Sequence, residues 1–201
     1  MNPCRFSELV LAASLVWAAN TWAMTPQPLA AGAAPRPQTT QVDGVALQLN
    51  GAGVRRHPAG DLYAAALYLE NRQTAAEAAV GDPGAKRLSV TALRALNAIE
   101  IGELLSAGLT GNSGNEALAD LVAEVFALGS LIAETDRLQP GDGFQIDWSP
   151  KAGTTLTVQR GGADAPATRV FASPKLMPAM MRIWLGPNPA DGRLKADLLG
   201  L

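Results

Sequence analysis

The sequence predicts an α+β fold: an antiparallel sheet with helices packed on one face. Three observations carry that reading. Short apolar runs with period-two alternation dominate residues 41–96; two stretches with helical apolar spacing follow, near 98–110 and 118–132; a hairpin pattern and then more helical sequence close the chain. Strands and helices that come in blocks, without regular alternation, point to α+β rather than to a parallel sheet. There is no internal repeat.

Residues 1–23 read as a secretory signal. Arg5 gives a basic start, Leu9 to Ala19 form the apolar run, and Thr21 and Ala23 place small residues where cleavage would occur. The run is too short to span a bilayer. The expected location is therefore periplasmic or secreted, with no stable membrane span after cleavage. Residues 24–40, with Pro26, Pro28, Pro35 and Pro37, read as a Pro/Ala-rich tether, and the domain is expected over 41–201. The single cysteine, Cys4, lies in the signal, so the mature chain is expected to use neither disulfides nor thiol chemistry.

Within the domain, Val42 to Leu49 alternates as a strand, with Val45, Leu47 and Leu49 on one face. Gly51-Ala52-Gly53-Val54-Arg55 reads as a glycine bend that delivers one arginine, and Arg55 to Gly60 as a tight connection. Leu62 to Leu69 is the next strand; its period of two puts Tyr63, Ala65, Leu67 and Leu69 on one face and Ala64, Ala66 and Tyr68 on the other. Thr74 to Val80 is a short alanine-rich helix, closed by Gly81-Asp82-Pro83-Gly84, and Arg87 to Leu96 returns to strand. Ile101, Leu104, Leu105, Gly108 and Leu109 recur at helical spacing up to the break at Gly111-Asn112-Ser113-Gly114. Leu118 to Ile132 forms one continuous helical stripe.

After a turn at Gln139 to Gly143, Phe144, Ile146 and Trp148 alternate with polar residues and pair through Lys151-Ala152-Gly153 with Leu156 and Val158. Thr168 to Phe171 adds a short strand. A helix then follows Ser173-Pro174, and Pro178 predicts either a start near Met177 or a kink. Pro187-Asn188-Pro189 separates it from a final helix over Ala190 to Leu199.

Charge and motifs exclude several functions. The net charge of −2, without a basic stripe, disfavours a nucleic-acid partner. Gly51 and Gly53 do not make a dinucleotide fingerprint, because Arg56 stands at its third glycine position. His57 is the only histidine and sits in an expected surface turn, so no metal site is expected. Met177, Met180 and Met181, with Ile183, Trp184 and Leu185, read as core or as the wall of an apolar pocket. Asp147 and Asp191 are acid–base candidates by type, but strand-edge and helix-cap roles account for them better.

Arg55 and Tyr63 remain. A guanidinium near a phenol, with the small walls of Ala64, Ala65 and Ala66, makes a cradle for a carboxylate or an enolate. The alternative is an internal ion pair for Arg55.

Three stretches, Leu49 to Arg55, Leu62 to Leu69, and Ile183-Trp184-Leu185-Gly186 through Leu194 to Gly200, resemble in order and spacing the chalcone isomerase-like family, in its bacterial exported branch. The resemblance covers roughly Val42 to Leu201 and implies an open-faced β-sandwich: a large antiparallel sheet covered by a layer of α-helices, with the ligand cleft between them. It implies that Arg55 matches the arginine that holds substrate and stabilises the enolate when a phenolate adds to an enone. The place of a ketone-polarising threonine falls at Tyr63. A tyrosine and an asparagine of the enzymes fall near Ile101 and Gly108, and a specificity threonine at Ile183. Both tyrosines of this chain, Tyr63 and Tyr68, precede that helix, so no tyrosine can serve there.

Losing several groups that bind the transition state, at about 2 to 4 kcal/mol each, argues against the named reaction. Non-catalytic relatives in the family bind fatty acids. The expected function is thus binding of a small apolar acid without a cofactor: Arg55 as anchor, Tyr63 as second donor, and Ile101, Leu105 and Ile183 as walls. A weak or altered isomerase acting on an enone-like ligand, with Arg55 catalytic, and a structural domain of the cell envelope are the alternatives.

Overall fold

The computed structural model describes residues 36–58 and 60–201. In chain order its elements are β1 (Thr39–Val42), β2 (Val45–Arg55), β3 (Tyr63–Leu69), α1 (Ala76–Gly81), β4 (Lys86–Ala92) and β5 (Leu96–Asn97). Next come α2 (Ala98–Asn112), α3 (Asn115–Ala119), α4 (Val122–Thr135), β6 (Arg137–Leu138) and β7 (Gly143–Ser149). The chain closes with β8 (Gly153–Gln159), β9 (Ala167–Phe171), α5 (Leu176–Leu185) and α6 (Gly192–Leu198). Seven strands form one antiparallel sheet in the order β1-β2-β3-β4-β7-β8-β9, and β5 pairs with β6 beside it. This is the predicted α+β architecture, a large sheet with a helical layer.

The local departures from expectation have identifiable causes. Asp43 and Gly44 take positive φ, 48° and 80°, which a two-residue hairpin turn requires. They split the expected first strand into β1 and β2. Thr39 and Thr40, expected in the tether, instead pair with Gln48 and Leu47. The expected signal and most of the tether lie outside the described residues. The long stripe over Leu118 to Ile132 is also broken, because Leu121 leaves helical geometry with ψ 11° and separates α3 from α4. The run Arg87 to Leu96 likewise ends its strand at Ala92, and Leu96 joins the small sheet instead.

The glycine stretch is not a bend. Gly51 and Gly53 lie within β2 and pair with Leu67 and Ala65 of β3, after a register irregularity at Asn50. What the glycines supply is room: a Cβ on Gly51 would fall 2.1 Å from the carbonyl oxygen of Asp197, and one on Gly53 would fall 2.6 Å from Asp197 Cβ. Helix α6 therefore lies directly on the strand.

The core has two sides, because all seven residues of β3 are buried. Tyr63, Ala65, Leu67 and Leu69 join the main core under the helices, as the period-two reading predicts, whereas Ala66 and Tyr68 pack with Val42, Leu47 and Ala85 on the opposite face. Helix α5 is the centre of the helical layer, with eight of its ten residues buried. Such near-complete burial fits a helix that lies on the sheet and is itself covered by neighbours. Pro178 does not kink it. The helix starts at Leu176, so Pro178 falls in the first turn, where a backbone N–H has no helical acceptor in any case.

Candidate functional site

Arg55, the last residue of β2, stands directly opposite Tyr63, the first of β3. Opposed residues of an antiparallel pair project to the same face, and here that face looks toward the helical layer. Arg55 Nη1 donates a long hydrogen bond to the Tyr63 hydroxyl at 3.4 Å. Its guanidinium carbon lies 5.7 Å from the centre of the phenol ring, within cation–π range. From α5, Trp184 Nε1 donates to the same hydroxyl at 3.0 Å. Burial pushes the Tyr63 phenol up from its ordinary value, against the lowering effect of the Arg55 charge and the two hydrogen bonds. The phenol is therefore neutral at physiological pH.

Arg55 is half-buried, and no carboxylate lies within ion-pair distance of it among the described residues. The acid whose charge it feels, Asp191, is already occupied. Its Oδ1 accepts from the backbone N–H groups of Arg193 and Leu194 at 2.8 and 3.1 Å, and its Oδ2 from that of Arg56 at 3.1 Å. Burial raises the pKa of Asp191, but these three donors and the Arg55 charge outweigh it and hold the carboxyl below the ordinary value. A depressed folded-state pKa stabilises the fold above the unfolded-state value of about 4, and that contribution is lost as pH falls through the folded value. Asp191→Ala is thus expected to lose about 1 kcal/mol at pH 7. Urea unfolding across pH should show the gap to the parent protein narrowing below about pH 4; a constant gap would mean that the charge contributes nothing.

The Arg55–Tyr63–Trp184 group closes one end of an apolar cleft between sheet and helices. Its walls include Ile101, Leu104 and Leu105 of α2 and Ile183 of α5, facing Val90 of β4 and Phe144 of β7. The room that a water-sized molecule can reach in it is only about 20 Å³. A second lobe, again with about 20 Å³ of such room, continues between Ile132, Leu156, Val158 and Met180, sharing Ile101, Leu105, Leu138 and Phe144 with the first. The channel is narrow.

The five residues expected from the sequence, Arg55, Tyr63, Ile101, Leu105 and Ile183, all border the first lobe. Met180 reaches the second lobe, whereas Met177 and Met181 are core. Where the enzymes' asparagine was expected near Gly108, the helices close up instead. A Cβ there would meet Ile183 Cγ2 at 2.5 Å, so Gly108 is what lets α2 pack onto α5. The acid–base candidates are structural. Asp191 caps α6, and Asp147 takes a bidentate bond from Arg87 at 2.6 and 2.7 Å across the central strands β4 and β7. Asp147 is therefore not at a sheet edge. His57 is an exposed loop residue, and no group of three or more metal-ligating side chains comes together among the described residues.

The sequence reads Trp184 as core or as the wall of an apolar pocket and does not give its bond to Tyr63. The available signal was that a buried indole N–H needs an acceptor, but the sequence does not say which one. Phe144 was read only as half of a strand alternation, and Leu138 was not singled out at all.

The profile of the family described as chalcone isomerase-like matches residues 30–200. No curated protein matches the chain. Among solved structures, the crystal structure of a fatty-acid binding protein of Arabidopsis thaliana is similar in fold, with a TM-score of 0.57 and 16% identity, over 82% of this chain and 90% of that one. With most of the described chain inside the family match and the same layered architecture, the chain belongs to the chalcone isomerase-like family.

Proposed function

We propose that this is an exported member of the family, of its bacterial branch, that binds a small apolar carboxylic acid such as a fatty acid without a cofactor. One observation carries the reading: a half-buried guanidinium and a neutral buried phenol share the head of a cleft whose remaining walls are almost wholly apolar. An anion at that end would receive a charge-assisted bond from Arg55 and a second bond from Tyr63. An acyl chain would lie against Ile101, Leu105 and Ile183 and continue toward Met180. The narrow channel must widen to admit it, by movement of side chains such as Leu104 and Leu105 that are only half-buried.

The fatty-acid binding neighbour supports this reading through shared fold alone. Catalysis on an enone would use the same Arg55–Tyr63 pair. The walls at Ile101 and Ile183 carry no polar side chain for a transition state, and Gly108 lies in the contact between α2 and α5, which favours binding over reaction. A role as a purely structural envelope domain, with Arg55 tied into an internal ion pair, receives no support from an arginine that faces a cleft. Among the described residues no helix is long and apolar enough to cross a membrane.

Native mass spectrometry of the full chain, purified from the extracytoplasmic fraction of an expressing bacterium, tests both parts at once. The expected result is a mass shortened by N-terminal processing and an adduct that dissociates as a fatty acid. Absence of the protein from that fraction would refute export, and a full-length mass within it would refute cleavage. A processed protein without an adduct, and without calorimetric binding of laurate, would refute the ligand.

A further inference from the structure

The contacts of the Tyr63 hydroxyl have a definite polarity. A phenolic oxygen offers acceptor lone pairs and one donor proton, whereas an indole N–H and a guanidinium can only donate. Trp184 and Arg55 both donate to this oxygen, at 3.0 and 3.4 Å. Among the described residues no acceptor for the Tyr63 proton lies within hydrogen-bond distance. With its acceptor positions engaged by protein, the hydroxyl can offer a ligand only its proton.

We propose that Trp184 is a positioning residue that sets this polarity and so selects ligands whose head group accepts hydrogen bonds and carries negative charge, a carboxylate above all, over head groups that also need to donate. The inference rests on the binding reading above and goes beyond it by assigning head-group selectivity to a residue that need not touch the ligand. Trp184 is fitted to the task. It is only 2% exposed, it sits on the most buried helix, and its 3.0 Å bond is the shorter of the two that hold the phenol. Arg55, half-buried, gives Tyr63 one N–H of its Nη1 and has further N–H donors to offer a ligand while that bond is kept.

Trp184→Phe keeps an aromatic ring and removes only the donor and some volume. The hydroxyl then regains a lone pair and can turn to accept from a ligand. The experiment is calorimetry of the delipidated protein with dodecanoate and with 1-dodecanol, in the parent, in Trp184→Phe, in Tyr63→Phe and in the double variant. The parent is expected to prefer the acid. Trp184→Phe should reduce the ratio of acid to alcohol affinity about five-fold, the scale of one hydrogen bond. In the Tyr63→Phe background the same substitution should leave the ratio unchanged within about two-fold, because Trp184 acts through the phenol. A merely structural role would lower both affinities together and leave the ratio alone.

The ligand-free arm is the indole N–H resonance of Trp184 in ¹H–¹⁵N spectra, which should move upfield in Tyr63→Phe. An unchanged ratio in folded Trp184→Phe, an equal drop without the phenol, or an unmoved indole resonance would each overturn the proposal. If Trp184→Phe does not fold, the indole shift and the acid-to-alcohol ratio of Tyr63→Phe decide, and a ratio equal to the parent's overturns it. Failure of the parent to bind either lipid would overturn the binding reading itself, and this selectivity with it. Binding with unaltered selectivity would overturn only the role of Trp184.

Discussion

Arg55→Met is expected to weaken laurate binding by about 100-fold, the equivalent of roughly 3 kcal/mol, while leaving the fold intact. The magnitude follows from what the substitution removes. A carboxylate brought into an apolar cleft gives up water, and without the guanidinium only the Tyr63 proton would compensate it. Because Arg55 is half-buried rather than enclosed, the loss belongs in the lower part of the range for a severed charge pair, about 2 to 5 kcal/mol. Stability should barely move. In the free protein Arg55 contributes one long bond and a cation–π contact of about 0.5 to 1 kcal/mol. Arg55→Lys should fall between, since it keeps the charge but not the planar fork. Calorimetry with laurate and thermal unfolding on the same samples separate the outcomes. Unchanged affinity would remove Arg55 as the anchor, and a collapse in stability would reveal a structural ion pair that the geometry does not show.

Gly51→Ala is expected to have the opposite profile, with a large loss of stability at a residue that touches no ligand. The added Cβ would meet the Asp197 oxygen at 2.1 Å, and the Leu198 oxygen and carbon at 2.6 and 2.7 Å, all of them backbone atoms. Helix α6 cannot back away cheaply. Asn50, 2% exposed, donates to the Leu198 and Gln73 carbonyls at 2.8 and 2.9 Å and accepts from Gln73 N at 2.7 Å. Relief of the overlap would break that clamp, so the cost lies at the upper end for overpacking, about 3 kcal/mol. For a domain of this size that corresponds to a fall of about 6 to 12 °C in Tm.

Gly53→Ala should cost less, because its overlaps of 2.6 Å are smaller and the Asp197 carboxylate can turn aside, but Asp197 Cβ moves only with the α6 backbone, so a loss of stability remains. Gly111→Ala should be neutral or stabilising, since nothing lies within 4 Å of the added carbon and alanine is the better helix former. Calorimetric melting of the three variants checks the order. A Gly51 variant as stable as the Gly111 variant would show that α6 does not lie where the strand requires it.

These expectations divide along the line between what was legible in the residues and what was not. The class of fold was legible because it depends on local periodicity. Alternation in β4 and β8 survives in the structure residue by residue, and in β3, buried on both sides, the face assignment of Tyr63, Ala65, Leu67 and Leu69 survives. The cleft-facing side of α2 at Ile101, Leu104 and Leu105 was legible for the same reason, through helical spacing. Features that depend on one turn or one break were harder. Asp43-Gly44 is a hairpin signal that the alternation on either side of it masked, and Leu121 interrupts a stripe whose spacing alone would have run on.

By itself, then, the sequence determined that strands would precede a helical block and that Arg55 would lie near Tyr63 beside small side chains, although it read Arg55 as following a bend and not as the end of a strand. The family resemblance implied that Ile101, Gly108 and Ile183 stand where the enzymes carry polar side chains. Only the tertiary structure decided that Gly51 and Gly53 serve the seating of α6 rather than a bend. The same holds for the packing of Gly108 against Ile183, and for Trp184, distant in the chain, as the second donor to the Tyr63 hydroxyl. The physical reason is one of range. Periodicity and turn chemistry act over a few residues and are written locally. A close approach between backbones, or a buried donor's choice of acceptor, joins segments more than a hundred residues apart and exists only once the helices have settled on the sheet.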